Sequence, residues 1–264
     1  MELVGTMGVD STAIFRPSPR HDPAVRLFCL PFAGGGAASY RLWPRHLPEA
    51  VELLAFHPPG RAHRLREAPL TTIGAMVEAL LDEMSNWIDR PLAIFGHSLG
   101  AVVASECARA LEARGHEPAH LFVSARPFRR PAEARIHDLP DTEFVTAMNR
   151  RYQGIPDEIL KHPDVLDLLL PALRADLQAL ETFQPDPSRP KINCPTTVFG
   201  GSLDRAVSRT DLEAWRGEVA GSCRIRMFPG DHFFLEPQRS HLVAEIVAAL
   251  APQLEDSAKA DAML

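Results

Sequence analysis

The stretch PLAIFGHSLGAVVASECARALEA, residues 91–113, decides the fold. It opens as a short apolar run of strand character, and from residue 98 onward its apolar positions recur at helical spacing. Between the two sits Gly96-His97-Ser98-Leu99-Gly100. A strand that turns directly into a helix must reverse sharply, and glycines at both ends remove Cβ atoms that would collide. Such a turn is a nucleophile elbow, which pushes a serine hydroxyl out of the sheet edge. The G-x-S-x-G string alone is a weak signal, because an ordinary strand-to-helix turn with a serine in its cap has the same letters. The strand before it and the helix after it make Ser98 the candidate nucleophile.

Outward from the elbow the same rhythm repeats. The short apolar runs VRLFCL (25–30), VELLAF (51–56), HLFVSA (120–125), PTTVFG (195–200) and CRIRMF (223–228) read as strands. Helix patterns fall at 40–47, 72–88, 98–114, 208–217 and 237–250; in the second, Ile73, Met76, Val77, Leu80, Leu81, Met84, Trp87 and Ile88 share one face. Strands alternating with helices predict an α/β fold, a mostly parallel central sheet with helices on both faces. One interval breaks the rhythm. About 70 residues between HLFVSA and PTTVFG hold no convincing strand and read as helices near 140–151, 156–162 and 163–183. So long a connection without structure of its own would be exceptional. We read 127–185 as a helical lid over the C-terminal edge of the sheet, against the alternative of a helical subdomain that only adds core.

The chain has 264 residues, 45% of them apolar and 23% charged, the balance of a globular domain. The folded unit is expected over 25–251, with a poorly ordered N-terminal tail at 1–24 and a polar C-terminal tail at 252–264. A formal charge of −6 argues against a general nucleic-acid binder. No run approaches the ~18 apolar residues of a membrane span, and no secretory leader is legible, so a cytoplasmic protein is expected; a monomer is expected as well. Cys29, Cys107, Cys194 and Cys223 are widely spaced, with no partner histidines at metal-ligand spacing, and read as small core residues.

A serine hydroxyl is a poor nucleophile at neutral pH, so a base must sit beside it and a carboxylate must orient that base. Where an elbow of this kind is used, the chain order is serine, acid, histidine. Asp204 follows the strand PTTVF in Gly200-Gly201-Ser202-Leu203-Asp204, and His232 follows CRIRMF in Pro229-Gly230-Asp231-His232. Both fall where open α/β sheets build their sites. Asp231 is the competing acid, yet neighbouring side chains in a loop usually diverge. His97 leaves the turn in another direction, and His241 lies on the last helix pattern. The oxyanion needs two amides. One is that of Leu99; the other comes from Pro31-Phe32-Ala33-Gly34-Gly35-Gly36, with Ala33 preferred over Phe32. That glycine run lacks the spacing of a phosphate-binding loop.

Taken together, LFCLPFAGGGAASYRLW (27–43), FHPPGRAHRLRE (56–67), IFGHSLGA (94–101), SARP (124–127), LPALRADLQALETF (170–183), GGSLDRAVS (200–208) and FPGDHFFLE (228–236) carry a resemblance covering about 25–250. In these residues the chain resembles the type II thioesterases of polyketide and nonribosomal peptide synthesis. These are α/β-hydrolases similar also to the thioesterase domain of animal fatty acid synthase. The resemblance implies the same site by position: Ser98, Asp204 and His232, with the amides of Leu99 and Ala33. It implies hydrolysis of acyl groups from the phosphopantetheine arm of an acyl or peptidyl carrier protein, freeing a blocked assembly line, without a cofactor or metal. The lid leucines Leu166, Leu170, Leu173 and Leu177 are then expected to meet the acyl chain. Carrier proteins are usually acidic, so an acidic enzyme needs local cations to dock one. Arg126, Arg129, Arg130 and Arg135 near the lid entrance, and Arg61, Arg64 and Arg66 after the second strand, are the candidates, against a solvated arginine face. A carboxylesterase or acyltransferase with the same triad is the rival reading, and a non-catalytic binding protein of the same fold is a further one.

Overall fold

The computed structural model describes residues 13–128, 135–152, 154–155 and 157–261. The apolar runs become strands of one sheet: β2 (Val25–Leu30), β3 (Val51–Phe56), β4 (Leu92–His97), β5 (His120–Ser124), β6 (Thr196–Gly201) and β7 (Cys223–Phe228), preceded by β1 (Ile14–Phe15). The order is β1-β3-β2-β4-β5-β6-β7, with every neighbouring pair parallel except β1 on β3. The helices are α1 (Ile73–Met84), α2 (Leu99–Ala113), α3 (Asp141–Tyr152), α4 (Asp157–Leu160), α5 (Pro163–Thr182), α6 (Arg209–Glu213), α7 (Arg239–Ala249) and α8 (Ala251–Asp261).

β2, β3, β4 and β5 are buried throughout because both faces of the sheet are covered. Side chains alternate between two cores. Phe28, Leu30, Ile94, Leu121 and Val123 pack with Leu80 and Met84 of α1 and Val103 and Cys107 of α2. Leu27, Cys29, Phe95, Phe122 and Phe199 pack on the other side with Tyr40, Trp43 and Leu242 and Ile246 of α7. The cysteines are free thiols, three buried and Cys223 half-buried. The pattern read at 40–47 resolves into two 3₁₀ turns, Ala37–Tyr40 and Trp43–His46, the second carrying Pro44 in its first turn. Among the described residues no helix is long and apolar enough to cross a membrane.

Topology places the site. From β2 the chain moves outward to β3, then passes through α1 to β4 on the opposite side of β2. The direction of winding therefore reverses between β2 and β4, which opens a crevice beyond their carboxyl ends. Leu30 pairs with Gly96, and His97 with Ser124, so the loop after β2 and the elbow after β4 leave the sheet side by side.

Between β5 and β6, α3, α4 and α5 form the helical insertion. Its own core is Ile136, Phe144, Met148, Tyr152, Ile155, Leu170, Leu173 and Leu177, which touches the sheet domain through Ala33 and Ala206.

Both segments read as tails carry structure. β1 adds to the edge of β3, pairing Ile14 with Phe56 and Phe15 with Ala55. Ala13 and Ile14 join the core, and Glu52, fully buried on β3, is met by cations: Arg16 beyond β1 donates to it at 2.5 and 2.9 Å while Arg26 donates at 3.3 Å. At the other end, residues 251–261 continue as α8, with Pro252 in its first turn, where a missing N–H costs nothing, and Leu254 packed against the second core.

Candidate active site

Ser98 stands at the elbow with φ +55° and ψ −112°, outside the regions a serine ordinarily occupies. Such backbone costs about 1–3 kcal/mol and persists only where the surroundings enforce it. Here they do. A Cβ on Gly96 would lie 2.0 Å from the Gly100 carbonyl oxygen, and one on Gly100 would lie 2.3 Å from that of Leu30. Only glycines allow strand, turn and helix to approach so closely. The Ser98 amide donates to the Ser124 carbonyl at 2.8 Å, fixing the turn to β5.

The three residues singled out by chain order meet at this edge. The His232 Nε2 atom lies 3.1 Å from the Ser98 hydroxyl, and Nδ1 lies 2.8 Å from Asp204 Oδ2. Asp204 is itself held: its Oδ1 accepts from the amides of Ala206 at 2.8 Å and Val207 at 3.2 Å. A carboxylate can only accept, so Nδ1 donates its N–H to Asp204, and in the neutral ring Nε2 keeps a lone pair facing the serine hydroxyl. Asp231 turns away and accepts from the Phe233 amide at 2.8 Å. His241 is exposed on α7.

His97 is fully buried behind the elbow, its Nδ1 2.9 Å from the Ser124 hydroxyl and its ring 5.4 Å from that of His232. Burial first, and the neighbouring His232 second, push its pKa well below the ordinary histidine value. It stays neutral and adds no charge beside the base.

Ser98 and His232 open onto a cavity of about 20 Å³, lined also by Phe32, Ala33, Met148, Tyr152, Gly154, Leu177, Leu180 and Phe233. Ala33 lines the same cavity as Ser98, and Leu99 directly follows the serine as the first residue of α2. Of the four lid leucines, Leu177 alone lines this space. Leu166, Leu170 and Leu173 pack inside the lid, because only the C-terminal end of the apolar stripe on α5 reaches the serine. Sequence reasoning missed Met148, Tyr152 and Phe233. Phe144, Met148 and Tyr152 recur every four residues on α3, so the apolar face was legible but not its target.

The arginine reading needs correction. Arg61 is buried and forms a forked pair with Asp176 of α5, at 2.8 and 2.9 Å. It is therefore not a surface cation. Arg64 pairs with Glu67. Arg126 is only 9% exposed, and its carbonyl accepts from the Trp215 indole at 2.8 Å; it borders a groove of about 680 Å³ shared with Arg135, Arg151 and Arg189. Arg126 lies two residues beyond the end of β5, a central strand. Arg129 and Arg130 lie outside the described residues, whereas Arg66 and Arg135 are exposed.

A mostly parallel sheet with helices on both faces and a serine elbow at the switch point defines an α/β-hydrolase. The chain belongs to the thioesterase domain family, which matches residues 25–250, and it is a thioester hydrolase. It is 36% identical over 237 residues to the gramicidin S biosynthesis protein GrsT of Aneurinibacillus migulanus, covering 87% of this chain and 92% of that protein. It is 37% identical over 235 residues to thioesterase PikA5 of Streptomyces venezuelae, covering 88% and 82%. Among solved structures, the type II thioesterase BorB from the borrelidin biosynthetic cluster superimposes with a TM-score of 0.83 at 33% identity, covering 91% of this chain and 98% of that one.

Proposed function

We propose that Ser98 attacks the thioester, with His232 as general base and Asp204 as the acid that orients it. The contact chain from Asp204 through His232 to Ser98, opening into the cavity beneath the lid, carries this reading. The Ser98 proton passes to His232 Nε2 as Oγ adds to the thioester carbonyl. The negative charge on the carbonyl oxygen is taken by the amides of Leu99 and Ala33. Collapse breaks the C–S bond, the thiolate leaves with the proton from His232, and the acyl group remains on Oγ. Water then gives its proton to His232 and adds to the acyl carbonyl. Release of the carboxylic acid returns the proton to Ser98. Every step uses groups of this chain and water.

The substrate is an acyl group on the phosphopantetheine arm of an acyl or peptidyl carrier protein in polyketide or nonribosomal peptide synthesis, and the role is removal of stalled or misprimed units. Support comes from the relatives, whose names place them in such biosynthetic clusters. The enzyme works as a monomer in the cytoplasm, alongside the carrier. Met148 and Tyr152 of α3 and Leu177 of α5 line the space beside Ser98, which makes them the side chains that gauge acyl size.

A turnover panel tests this: identical acyl groups on a carrier protein, on coenzyme A and on a simple oxygen ester. The reading expects kcat/KM to be highest on the carrier, at least about tenfold above the ester. Parallel rates on carrier and ester would favour the carboxylesterase reading.

A further inference from the structure

Asp176 is a carboxylate with no exposure, placed on the apolar face of the lid helix α5. Its Oδ2 accepts from the Gly34 amide at 2.8 Å and from Arg61 Nη1 at 2.8 Å, and its Oδ1 accepts from Arg61 Nη2 at 2.9 Å. The same Nη1 also donates to the Gly35 carbonyl at 2.8 Å. A lid helix and the loop after β3 thus converge, through one buried ion pair, on two consecutive residues of the loop after β2.

Those residues belong to a tight turn. Gly35 donates to the Phe32 carbonyl at 2.8 Å, and Gly34, third in the turn, has φ +75°, as a type II turn requires. The Phe32 carbonyl and the Ala33 N–H belong to one planar trans peptide, so they point in opposite directions. Whatever fixes the turn fixes where the Ala33 N–H points. Asp176 fixes it at Gly34 and Arg61 fixes it at Gly35, while Leu173 of α5 packs against Gly34.

We infer that Asp176 and Arg61 are positioning residues for the oxyanion hole, and that seating of the lid helix aims the Ala33 amide. This rests on the reading of Ala33 as an oxyanion donor. A buried pair placed only for stability would be a poor choice, since well-packed apolar residues of similar volume usually serve as well. Here each member also bonds the backbone of the loop.

The test separates positioning from stability. Removing one partner strands a buried charge and lowers Tm, so the decisive variant replaces both, Arg61→Met with Asp176→Leu. Thioester kcat, KM, Tm and affinity for a trifluoromethyl ketone, whose serine adduct places an alkoxide in the oxyanion hole, are read together. The inference expects Tm to recover relative to Asp176→Leu alone and KM to stay within about threefold. It expects kcat and ketone affinity to fall together, by about tenfold to a hundredfold. Should the double variant not recover Tm, Arg61→Lys, which keeps the charge but loses the fork, carries the same readouts with a fall of about tenfold. Values of kcat and ketone affinity within twofold of wild type in whichever folded variant is read overturn the inference. Complete labelling of Ser98 by a fluorophosphonate in the wild type keeps the two readings apart. Labelling that persists in Ser98→Ala overturns the nucleophile instead.

Discussion

The carboxyl edge of the sheet and the lid that covers it are built on opposite principles. At the sheet edge, backbone does the placing: Gly96 and Gly100 allow contacts no side chain would tolerate, and the Ser98 amide is tied to β5. In the lid, side chains do it. Glu181 gathers the amides of Ile136 and His137 and the His137 ring, Arg174 caps Leu139 and pairs with Asp141, and Leu168 and Leu169 remain exposed. The difference teaches how each part is positioned: Ser98 hangs from tightly packed backbone, while Met148, Tyr152 and Leu177, which line the cavity beside it, sit on helices held together by side chains.

The contrast can be broken at four points. Asp204→Asn should lower kcat by about 10³–10⁴-fold with KM little changed, because the histidine loses the acceptor that sets its tautomer. Steady-state kinetics on an acyl thioester checks this; a fall under tenfold would show that another group orients His232. Gly96→Ala forces a Cβ to within 2.0 Å of the Gly100 carbonyl oxygen and should cost about 3 kcal/mol of stability or more, read by denaturant unfolding. A lid change should act on preference instead. Leu177→Ala should shift the ratio of kcat/KM between long and short acyl chains about tenfold toward the long, with Ser98 labelled as fast as before.

The smallest effect belongs to the far end of the sheet. Burial, with a further contribution from Arg224, pushes His120 from 6.5 down to about 4. Below pH 6.5 the unfolded chain binds a proton that the folded chain refuses until about pH 4, so stability falls as pH drops through that window. His120→Gln should remove about 1 kcal/mol of the loss between pH 7.5 and 5.5, in chemical denaturation at several pH values. An unchanged pH slope would place the acid sensitivity elsewhere, in the buried His97 or in the lid.

Much of this was legible beforehand for a physical reason. Parallel strands covered on both faces read as apolar runs, and the elbow demands glycine at both ends, so β2 through β6 and Ser98 announce themselves locally; edge strand β7, with Arg224 and Arg226 exposed, reads by alternation instead. Asp204 and His232 follow from chain order once the elbow is recognised. What escaped depends on partners distant in sequence. β1 is two residues long, and Arg16 just beyond it meets the buried Glu52, a match visible only when β3 is known to be buried. Arg61 looked like a surface cation until Asp176, 115 residues away, turned out to face it. An aspartate inside the apolar stripe of α5 was the available signal.

The account stands on Ser98 carrying the acyl group, and trapping that intermediate tests it most directly. Enzyme mixed with an acyl thioester, quenched in acid within milliseconds and read by intact mass and peptide mapping, should show one acyl group on the peptide containing Ser98. It should form and decay at rates matching turnover, and Ser98→Ala should show neither adduct nor turnover. An adduct on another residue, or turnover retained by Ser98→Ala, would contradict the account.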